Sequence, residues 1–469
     1  MQGAVSSGAA GATARLAGFL AGIAYDDLPP AVVAALKHQV LDTLGTTLAA
    51  GTLGEGCREL VSVVQAAGGA PESTLLGFGT KVPAAQAALA NGGLAHALNY
   101  DAGGAGHLGL MLPTPLALAE RQGGVGGREL LAALAAGVEL TARLNLAMLG
   151  GRPPGAPMLV LDGQLFGYFG AAAAAARVLR LDARQTHSAL GLALMQAAGT
   201  MQVVLDGDPP AKAIYAAFAN HGGLLAAQLA AAGLGAECAA LEGEAGLYGL
   251  YYGGRYDAAV LERGLGEEWC LLRIAFKPWP TSGVLHAFVE AALDVATRHD
   301  LAPADVAEVE IRGGPEVVHW FEPVEQRKRP ENGATAANSI FYAVAKAFAN
   351  RRVTLADFAP DGLRQPEALA LIDRMHHTFE DGLGRAAVVT VATRGGERHV
   401  GRVDVPLGHP SRPMTREQLV AKFRDCAQYA ATPVPPAALA EVERLVGALE
   451  EVPDVSAIPA LLGGRRETR

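Results

Sequence analysis

Residues 88–101 run from an apolar helix directly into a cluster of polar side chains. The helical part consists of small and apolar residues, and it leads to Asn99, Tyr100 and Asp101 and then through a glycine-rich stretch to His107. Little side-chain bulk surrounds this cluster. An acid and an imidazole at the wall of a buried pocket can move protons to and from a substrate. The alternative is a helix that ends in a glycine loop.

Lys277 and His286 stand in a stretch whose backbone is stiffened by proline. Pro278 and Pro280 follow Lys277 and restrict the direction in which the lysine points. His286 falls in the first turns of the next predicted helix, where the helix dipole favours the neutral imidazole that can act as a base. The alternative is a surface lysine and a core histidine.

Lys212 follows a double proline, Pro209 and Pro210, that is typical of a helix start. A lysine in the first turn of a helix opposes the helix dipole, and a bound carboxylate would offset that cost. An ion pair with Asp206 or Asp208 would do the same, and the sequence leaves both possibilities open.

Tyr342 is a further candidate, because a tyrosine can protonate a leaving group or an enolate oxygen. A core tyrosine with a satisfied hydroxyl is the more common case. His376 and His377 lie in a strand-like run and point to opposite faces, so they are not expected to share a metal ion. The chain has no HExxH, Walker or GxSxG motif.

The amino-acid composition argues against several classes of function. The 469 residues are 50% hydrophobic but only 6% aromatic, which suits helices that pack closely through alanine and leucine. The net charge of −9 argues against nucleic-acid binding. We expect neither a signal peptide nor a membrane-spanning segment. The four cysteines have no CxxC spacing, which favours a reduced, cytoplasmic setting (Cys57, Cys238, Cys270, Cys426).

Hydrophobic periodicity predicts a mainly α fold in two domains. We expect a flexible tail over residues 1–13, and helical periodicity then runs to residue 270. Alternating segments and two helices predict a smaller α+β unit over residues 271–405. Helical periodicity resumes to the C-terminus. We therefore predict a discontinuous all-helical domain (residues 14–270 and 406–469) with the α+β unit inserted as a lid.

At these positions the chain resembles the MmgE/PrpD family, which includes 2-methylcitrate dehydratase and cis-aconitate decarboxylase. The resemblance covers nearly the whole length, and its strength lies in the shared order of individually weak motifs. These motifs are residues 41–45, 88–101, 137–143, 167–176, 206–212, 277–286, 339–342, 408–413 and 422–423.

The resemblance implies an all-helical domain, an α+β lid, a homodimer and cofactor-free chemistry on small polycarboxylates. By position, four residues match active-site positions of the family (Asp101, Lys212, Lys277, Tyr342), and His107 and His286 match more loosely. We expect four further residues to contact the substrate (Asn99, Tyr100, Gln164, Ser282).

The chain departs from the family in ways that bear on the substrate. Residues 99–103 keep one acid where the family usually has two. The position of a family histidine is taken by Leu161, near Gln164, and Ser282 and Gly283 stand where the family is more polar. A less polar pocket predicts a substrate with fewer carboxylates than 2-methylcitrate.

Three hypotheses follow. The first is a cofactor-independent lyase or isomerase that removes a proton alpha to a carboxylate or carbonyl of a small acid, by dehydration or decarboxylation. The second keeps the fold for a specialised biosynthetic isomerase, cyclase or epimerase with a less charged substrate. The third is a family member that has lost catalysis and binds a ligand.

Overall fold

The computed structural model describes residues 11–104, 108–153, 159–206 and 210–463, and it is mainly α-helical, as the periodicity predicts. The helices that precede the large sheet are α1 (Ala12–Gly22), α2 (Pro30–Leu53), α3 (Cys57–Ala67), α4 (Ala84–His96), α5 (Pro113–Gln122), α6 (Gly127–Gly151), α7 (Asp162–Val178), α8 (Ala183–Leu194), α9 (Gln202–Leu205), α10 (Tyr215–Ala231), α11 (Leu247–Tyr252) and α12 (Ala258–Glu262).

Small residues allow these helices to approach closely. A Cβ atom added at Gly223 of α10 would stand 2.5 Å from the Cβ of Ala171 and 2.7 Å from the backbone nitrogen of Ala172 in α7. Only glycine fits at that crossing. The N-terminus of α8 is capped by Asp182, whose carboxylate accepts a 2.8 Å bond from the Gln185 N–H.

A short ribbon pairs β1 (Ser73–Thr74) antiparallel with β2 (Lys81–Val82). One local prediction needs correction. The helix expected to open at the double proline begins as a 3₁₀ turn, Pro210–Ile214, and α10 follows it. A second short ribbon joins β3 (Gly103–Gly104) to β4 (Ile274–Ala275).

A four-stranded sheet lies between the two helical stretches of the chain. Its strands, β5 (Val306–Gly313), β6 (Met375–Phe379), β7 (Ala387–Thr393) and β8 (Arg398–Val403), have the spatial order β6-β5-β7-β8. Only the β5–β6 pair is parallel. The accompanying helices are α13 (His286–Arg298), α14 (Val324–Lys328), α15 (Gly333–Ala336), α16 (Ile340–Asn350) and α17 (Pro366–Ile372). We call this part the sheet unit.

The C-terminal helices α18 (Arg416–Ala427), α19 (Pro436–Gly447) and α20 (Ala457–Leu462) return to the first helices. Helix α18 packs on α2, and one buried apolar cluster combines residues between 16 and 271 with residues between 423 and 462. A separate cluster fills the sheet unit between residues 284 and 391. We call the first assembly the helical body.

Helix α6 is long and apolar enough to cross a membrane by length and composition alone, but 89% of its most apolar window is buried inside the protein. Glu139 and Arg143 interrupt its apolar run. They form a buried ion pair with an Arg143 Nε–Glu139 Oε1 distance of 2.6 Å. This environment is typical of a helix in a protein core.

Candidate active site

A cavity of about 570 Å³ lies between the helical body and the sheet unit. The helical body contributes residues 52–59 without Cys57, residues 96–99, Lys212 and Ala213, and the connector contributes Pro280. The sheet unit contributes several side chains from residues 330–338 and 355–364. Clefts between packed units are common ligand sites, and this volume suits a small molecule.

His96, the last residue of α4, gives the cavity wall an imidazole. Its Nδ1 lies 2.9 Å from Oδ1 and 3.1 Å from Oδ2 of Asp101, whose side chain is fully buried. A carboxylate can only accept, so Nδ1 carries the hydrogen and Nε2 is the basic nitrogen. The pair has the geometry of a general base held by a carboxylate. Asp101 therefore lies behind the imidazole and does not line the cavity.

Tyr215 packs beside this pair at the start of α10. Its ring centroid is 4.7 Å from that of His96. Burial raises the pKa of the Tyr215 hydroxyl, and the carboxylates of Asp101 and Asp162 raise it further. The phenol therefore keeps its proton at neutral pH and can serve as a hydrogen-bond donor.

Lys277 reaches the cavity wall through Asn99. Its Nζ donates to the backbone oxygen and to Oδ1 of Asn99, both at 2.7 Å, and Asn99 has a left-handed φ of 49°. Burial lowers the pKa of Lys277 to about 8. The positive charges of Lys422 and Lys212 also lower it, while Asp101 and Asp42 oppose the shift.

Lys212 lines the cavity directly, together with His96 and Asn99. Its positive charge contributes to the lowered pKa of Lys277, whose partner Asn99 lines the same wall. The wall thus has one ammonium group at the cavity and a second one behind Asn99, and both favour a bound anion.

A second buried lysine, Lys422, bonds to the elements that carry these groups. Lys422 Nζ lies 2.6 Å from Asp42 Oδ1 and donates to the backbone oxygens of Tyr100 and Lys277 at 2.7 and 2.9 Å. It also stands 3.8 Å from the centroid of the Tyr100 ring. This one amine joins α18, α2, the loop after α4 and the connector to the sheet unit.

Two protein-family models match most of the chain. Residues 14–258 match the MmgE/PrpD N-terminal domain, and residues 279–447 match the MmgE/PrpD C-terminal domain. The chain belongs to the MmgE/PrpD family. The resemblance seen in the sequence motifs is thereby confirmed.

Curated relatives from this family are similar over nearly the full length. The cis-aconitate decarboxylase-like protein oryM of Aspergillus oryzae is 26% identical over 96% of this chain and 97% of that protein. The cis-aconitate decarboxylase of Homo sapiens is 26% identical over 94% and 92%, respectively. That of Aspergillus terreus is 24% identical over 98% of both chains. The chain is thus a divergent MmgE/PrpD protein.

Two residues expected in the site from the MmgE/PrpD motifs lie behind the cavity wall. His286 begins α13, and burial first, then Lys277 and Lys422, lower the pKa of its imidazole to about 3. Its buried Nε2 has no hydrogen-bond partner, and its ring meets Trp279 edge-on at 5.5 Å. The neutral form was expected, but desolvation is its main cause and not the helix dipole.

Tyr342 is the other residue, and its position corrects the expectation of a hydroxyl in the cavity. The side chain is fully buried, and its hydroxyl lies 2.5 Å from the backbone oxygen of Asp357 and 3.0 Å from that of Gly362. Burial raises the pKa of this phenol, and Asp357 adds to the shift. The structure therefore favours a core role.

Of the residues expected to contact the substrate, some line the cavity and others do not. Asn99 lines the cavity, whereas the Tyr100 hydroxyl donates to the Pro278 oxygen at 3.2 Å behind it. Gln164 bonds to Tyr168, and Ser282 donates its backbone N–H to Ala337 at 2.8 Å. Neither Gln164 nor Ser282 is among the described residues that line the cavity. His107 lies outside the described residues.

His96 and Tyr215 were missed in the sequence analysis. His96 stands in the same motif as Asp101, five residues before it, and the two side chains meet because the chain leaves the helix directly after His96. That spacing was an available signal. Tyr215 carried none, because its approach to His96 depends on how α10 packs on α4. Among the described residues, no group of three or more His, Cys, Asp or Glu side chains could hold a metal ion.

Proposed function

We propose that this protein is a lyase that acts on a small organic acid, most directly a decarboxylase, by moving a proton at a carbon next to a carboxylate. The observation that carries the proposal is the buried His96–Asp101 pair at the wall of a cavity that Lys212 also lines. The family and its cis-aconitate decarboxylase relatives support a decarboxylase or dehydratase type of lyase.

The groups divide the work by their chemistry. Lys212, reinforced by the charge of Lys277, holds a substrate carboxylate and stabilises the negative charge that develops as the reaction proceeds. In decarboxylation a C–C bond breaks, carbon dioxide leaves, and the electron pair passes into a conjugated carboxylate. His96 then delivers a proton to carbon, and Asp101 fixes the ring and stabilises the imidazolium before transfer.

In dehydration His96 would accept a proton from carbon, whereas in decarboxylation it delivers one. His96 Nε2 would take a proton from the carbon next to the carboxylate, and a hydroxide leaving group on the neighbouring carbon would depart as water after protonation. We assign every proton transfer to side chains of this chain and propose that no cofactor takes part.

The sheet unit is proposed to act as a lid on a discontinuous helical domain, with the boundaries predicted from sequence. Packing of α18 on α2 and the shared apolar cluster support the return of the C-terminal helices to the first domain. A lid would exclude water from the developing carbanion. We retain the cytoplasmic location as a proposal from the cysteine pattern and the homodimer as a proposal from the family resemblance.

The test is turnover of cis-aconitate and citrate-type acids by the purified chain, followed by proton NMR. The spectrum of the product separates decarboxylation, dehydration and isomerisation. His96→Gln is expected to lower kcat by about 10²- to 10⁴-fold, the usual worth of a positioned acid–base group. Lys212→Gln is expected chiefly to raise KM.

His187→Gln is the matched control, since His187 is half-buried, does not line the cavity, and bonds through its ring to the Cys238 oxygen. Full activity of the His96 variant, with the control also active, would remove the imidazole from the mechanism. Absence of product from every acid tested would contradict the lyase proposal.

A further inference from the structure

We propose, resting on the lyase function above, that the substrate is a dicarboxylic acid with an apolar substituent in place of a third polar arm, and that residues 355–363 bind this substituent. Three features of the cavity carry this inference: the position of its charges, the apolar wall of the sheet unit, and its volume.

The charged side chains that line the cavity are concentrated at its rim. Four of them are exposed to solvent and carry charges that cancel (Arg58, Glu59, Glu331, Arg364). Glu55 is half-buried, and its Oε1 accepts the Gly333 N–H at 3.1 Å. Among the described lining residues, Lys212, which is also half-buried, is therefore the one lysine or arginine that is not exposed to solvent. Three carboxylates would find too little positive charge there.

The part of the sheet-unit wall that residues 355–363 form is apolar. Leu355, Phe358, Ala359, Pro360 and Leu363 line the cavity in one short segment. The helical body adds the apolar residues Leu53, Ala97 and Leu98, and Leu53 and Leu98 belong to the same packed cluster as Leu355. An alkyl chain against this surface would lose its contact with water, which is the source of hydrophobic binding energy.

The polar groups of residues 355–363 form hydrogen bonds with other residues of the sheet unit. The backbone oxygens of Asp357 and Gly362 bond to the Tyr342 hydroxyl, and Lys346 Nζ also donates to the Gly362 oxygen at 3.2 Å. The Asp357 carboxylate accepts from Thr354 N at 2.7 Å and from Asn350 Nδ2 at 2.6 Å. With these groups satisfied behind the wall, the segment offers the cavity mainly hydrocarbon.

The volume fits the same class of substrate. A cavity of about 570 Å³ lies within the range of about 300–1,000 Å³ that is typical for drug-sized ligands. A compact acid of about a dozen heavy atoms would leave part of it unfilled. An alkyl substituent on such an acid would occupy the space beside Leu363 and Phe358.

A balanced reaction exists for this class. In a 3-alkylglutaconate the bond between the CH₂ carbon and its carboxyl carbon breaks and carbon dioxide leaves. The electron pair of that bond forms a new C=C bond between the CH₂ carbon and C3. The electron pair of the former C=C bond moves to the carbon next to the remaining carboxylate, and this carbon takes a proton. The product is a 3-alkylbut-3-enoate. No oxidant or reductant is needed.

Binding of saturated 3-alkylglutarates to the full chain, measured by calorimetry, tests the site without turnover. From methyl to hexyl, Kd is expected to fall by up to about fourfold per methylene, the value for full burial of a CH₂ group. Leu363→Ala is expected to flatten this dependence. Leu369→Ala is the matched control, because Leu369 is also a partly buried leucine of the sheet unit but does not line the cavity.

Turnover of 3-alkylglutaconates and cis-aconitate separates the two proposals. The expected result is a kcat/KM that rises with chain length and exceeds that of cis-aconitate. Product from cis-aconitate combined with Kd values independent of chain length would overturn the apolar-arm inference and leave the lyase. Chain-length-dependent binding with no product from any acid would instead contradict the lyase proposal.

Discussion

At the scale of single residues, one set of polar side chains lines the cavity, and a second, buried set bonds to the first from behind. His96 meets the cavity, Asp101 stands behind His96, and Asn99 separates Lys277 from the cavity. Each buried group thus acts on the substrate through a neighbour. Conservative substitutions in the buried layer can measure this influence without changing the shape of the wall.

Replacement of Asp101 by asparagine tests the layer behind the imidazole. An amide can donate as well as accept, so it no longer fixes the hydrogen on Nδ1 or stabilises an imidazolium. We expect kcat to fall by about 10²- to 10⁴-fold while KM changes little. Steady-state kinetics measure the effect, and thermal unfolding shows whether the fold is retained. An unchanged kcat in a folded variant would contradict the assignment.

The pH dependence of activity tests the charge of Lys277. Its pKa of about 8 means that the ammonium is present below that pH and is lost as the pH rises through it. We therefore expect kcat/KM for an anionic substrate to decline above pH 8. In Lys277→Arg the guanidinium stays charged, and the limb near pH 8 should disappear even if activity is lower. The same limb in this variant would assign it to another group.

At the scale of elements, helix α16 holds the apolar wall of the cavity. Its Tyr342 and Lys346 bond to the backbone of residues 357 and 362, and Asn350 bonds to the Asp357 carboxylate. These bonds add to the backbone bonds within the segment, such as that from Leu363 N to the Ala359 oxygen. A substitution on α16 should therefore alter the shape of the cavity wall, although the substituted residue does not contact the substrate.

Tyr342→Phe removes one of these anchors and leaves buried backbone oxygens with one partner fewer. We expect a loss of about 1–3 kcal/mol in the free energy of unfolding, and a rise in KM that exceeds any change in kcat. Tyr248→Phe is the control, since the buried Tyr248 hydroxyl donates to the Leu144 oxygen at 2.9 Å within the helical body. A kcat reduced by orders of magnitude at unchanged stability would restore a catalytic role for Tyr342.

At the scale of the whole molecule, the site depends on contacts between distant parts of the chain. Lys422 bonds to backbone oxygens that lie 322 and 145 residues away, and Glu55 bonds to the sheet unit across 278 residues. The cavity therefore forms only when the helical body, the connector and the sheet unit are assembled together. The C-terminal helix α18 is part of this assembly.

The proposed homodimer makes a prediction at the same scale. Three large apolar side chains between residues 159 and 205 are more than half exposed, namely Leu159 (65%), Met195 (80%) and Leu205 (60%). Exposed apolar groups of this kind are often covered by a partner. Light scattering after size exclusion is expected to give about twice the chain mass of 48.2 kDa. Leu205→Asp is expected to shift the equilibrium toward monomer, and a monomeric native chain at micromolar concentration would contradict the proposal.

Local sequence determined much of the architecture. The periodicity of α6 and α13, the cap at Asp182 and the alternation in β5 are properties of a few adjacent residues, and the structure confirms them. The motif at residues 88–101 also located one wall of the cavity, because its polar cluster follows the helix directly.

Tertiary structure alone decided which groups face the cavity. His96 and Lys212 line it, while Tyr342 and His286 turned out to lie behind the wall, although all four are polar residues near helix ends. A helix pattern fixes which residues share a face, but the packing of one helix against another sets the direction of that face. The meeting of Lys212 and Asn99 at one cavity wall likewise depends on folded distance, which the spacing of residues along a chain does not encode.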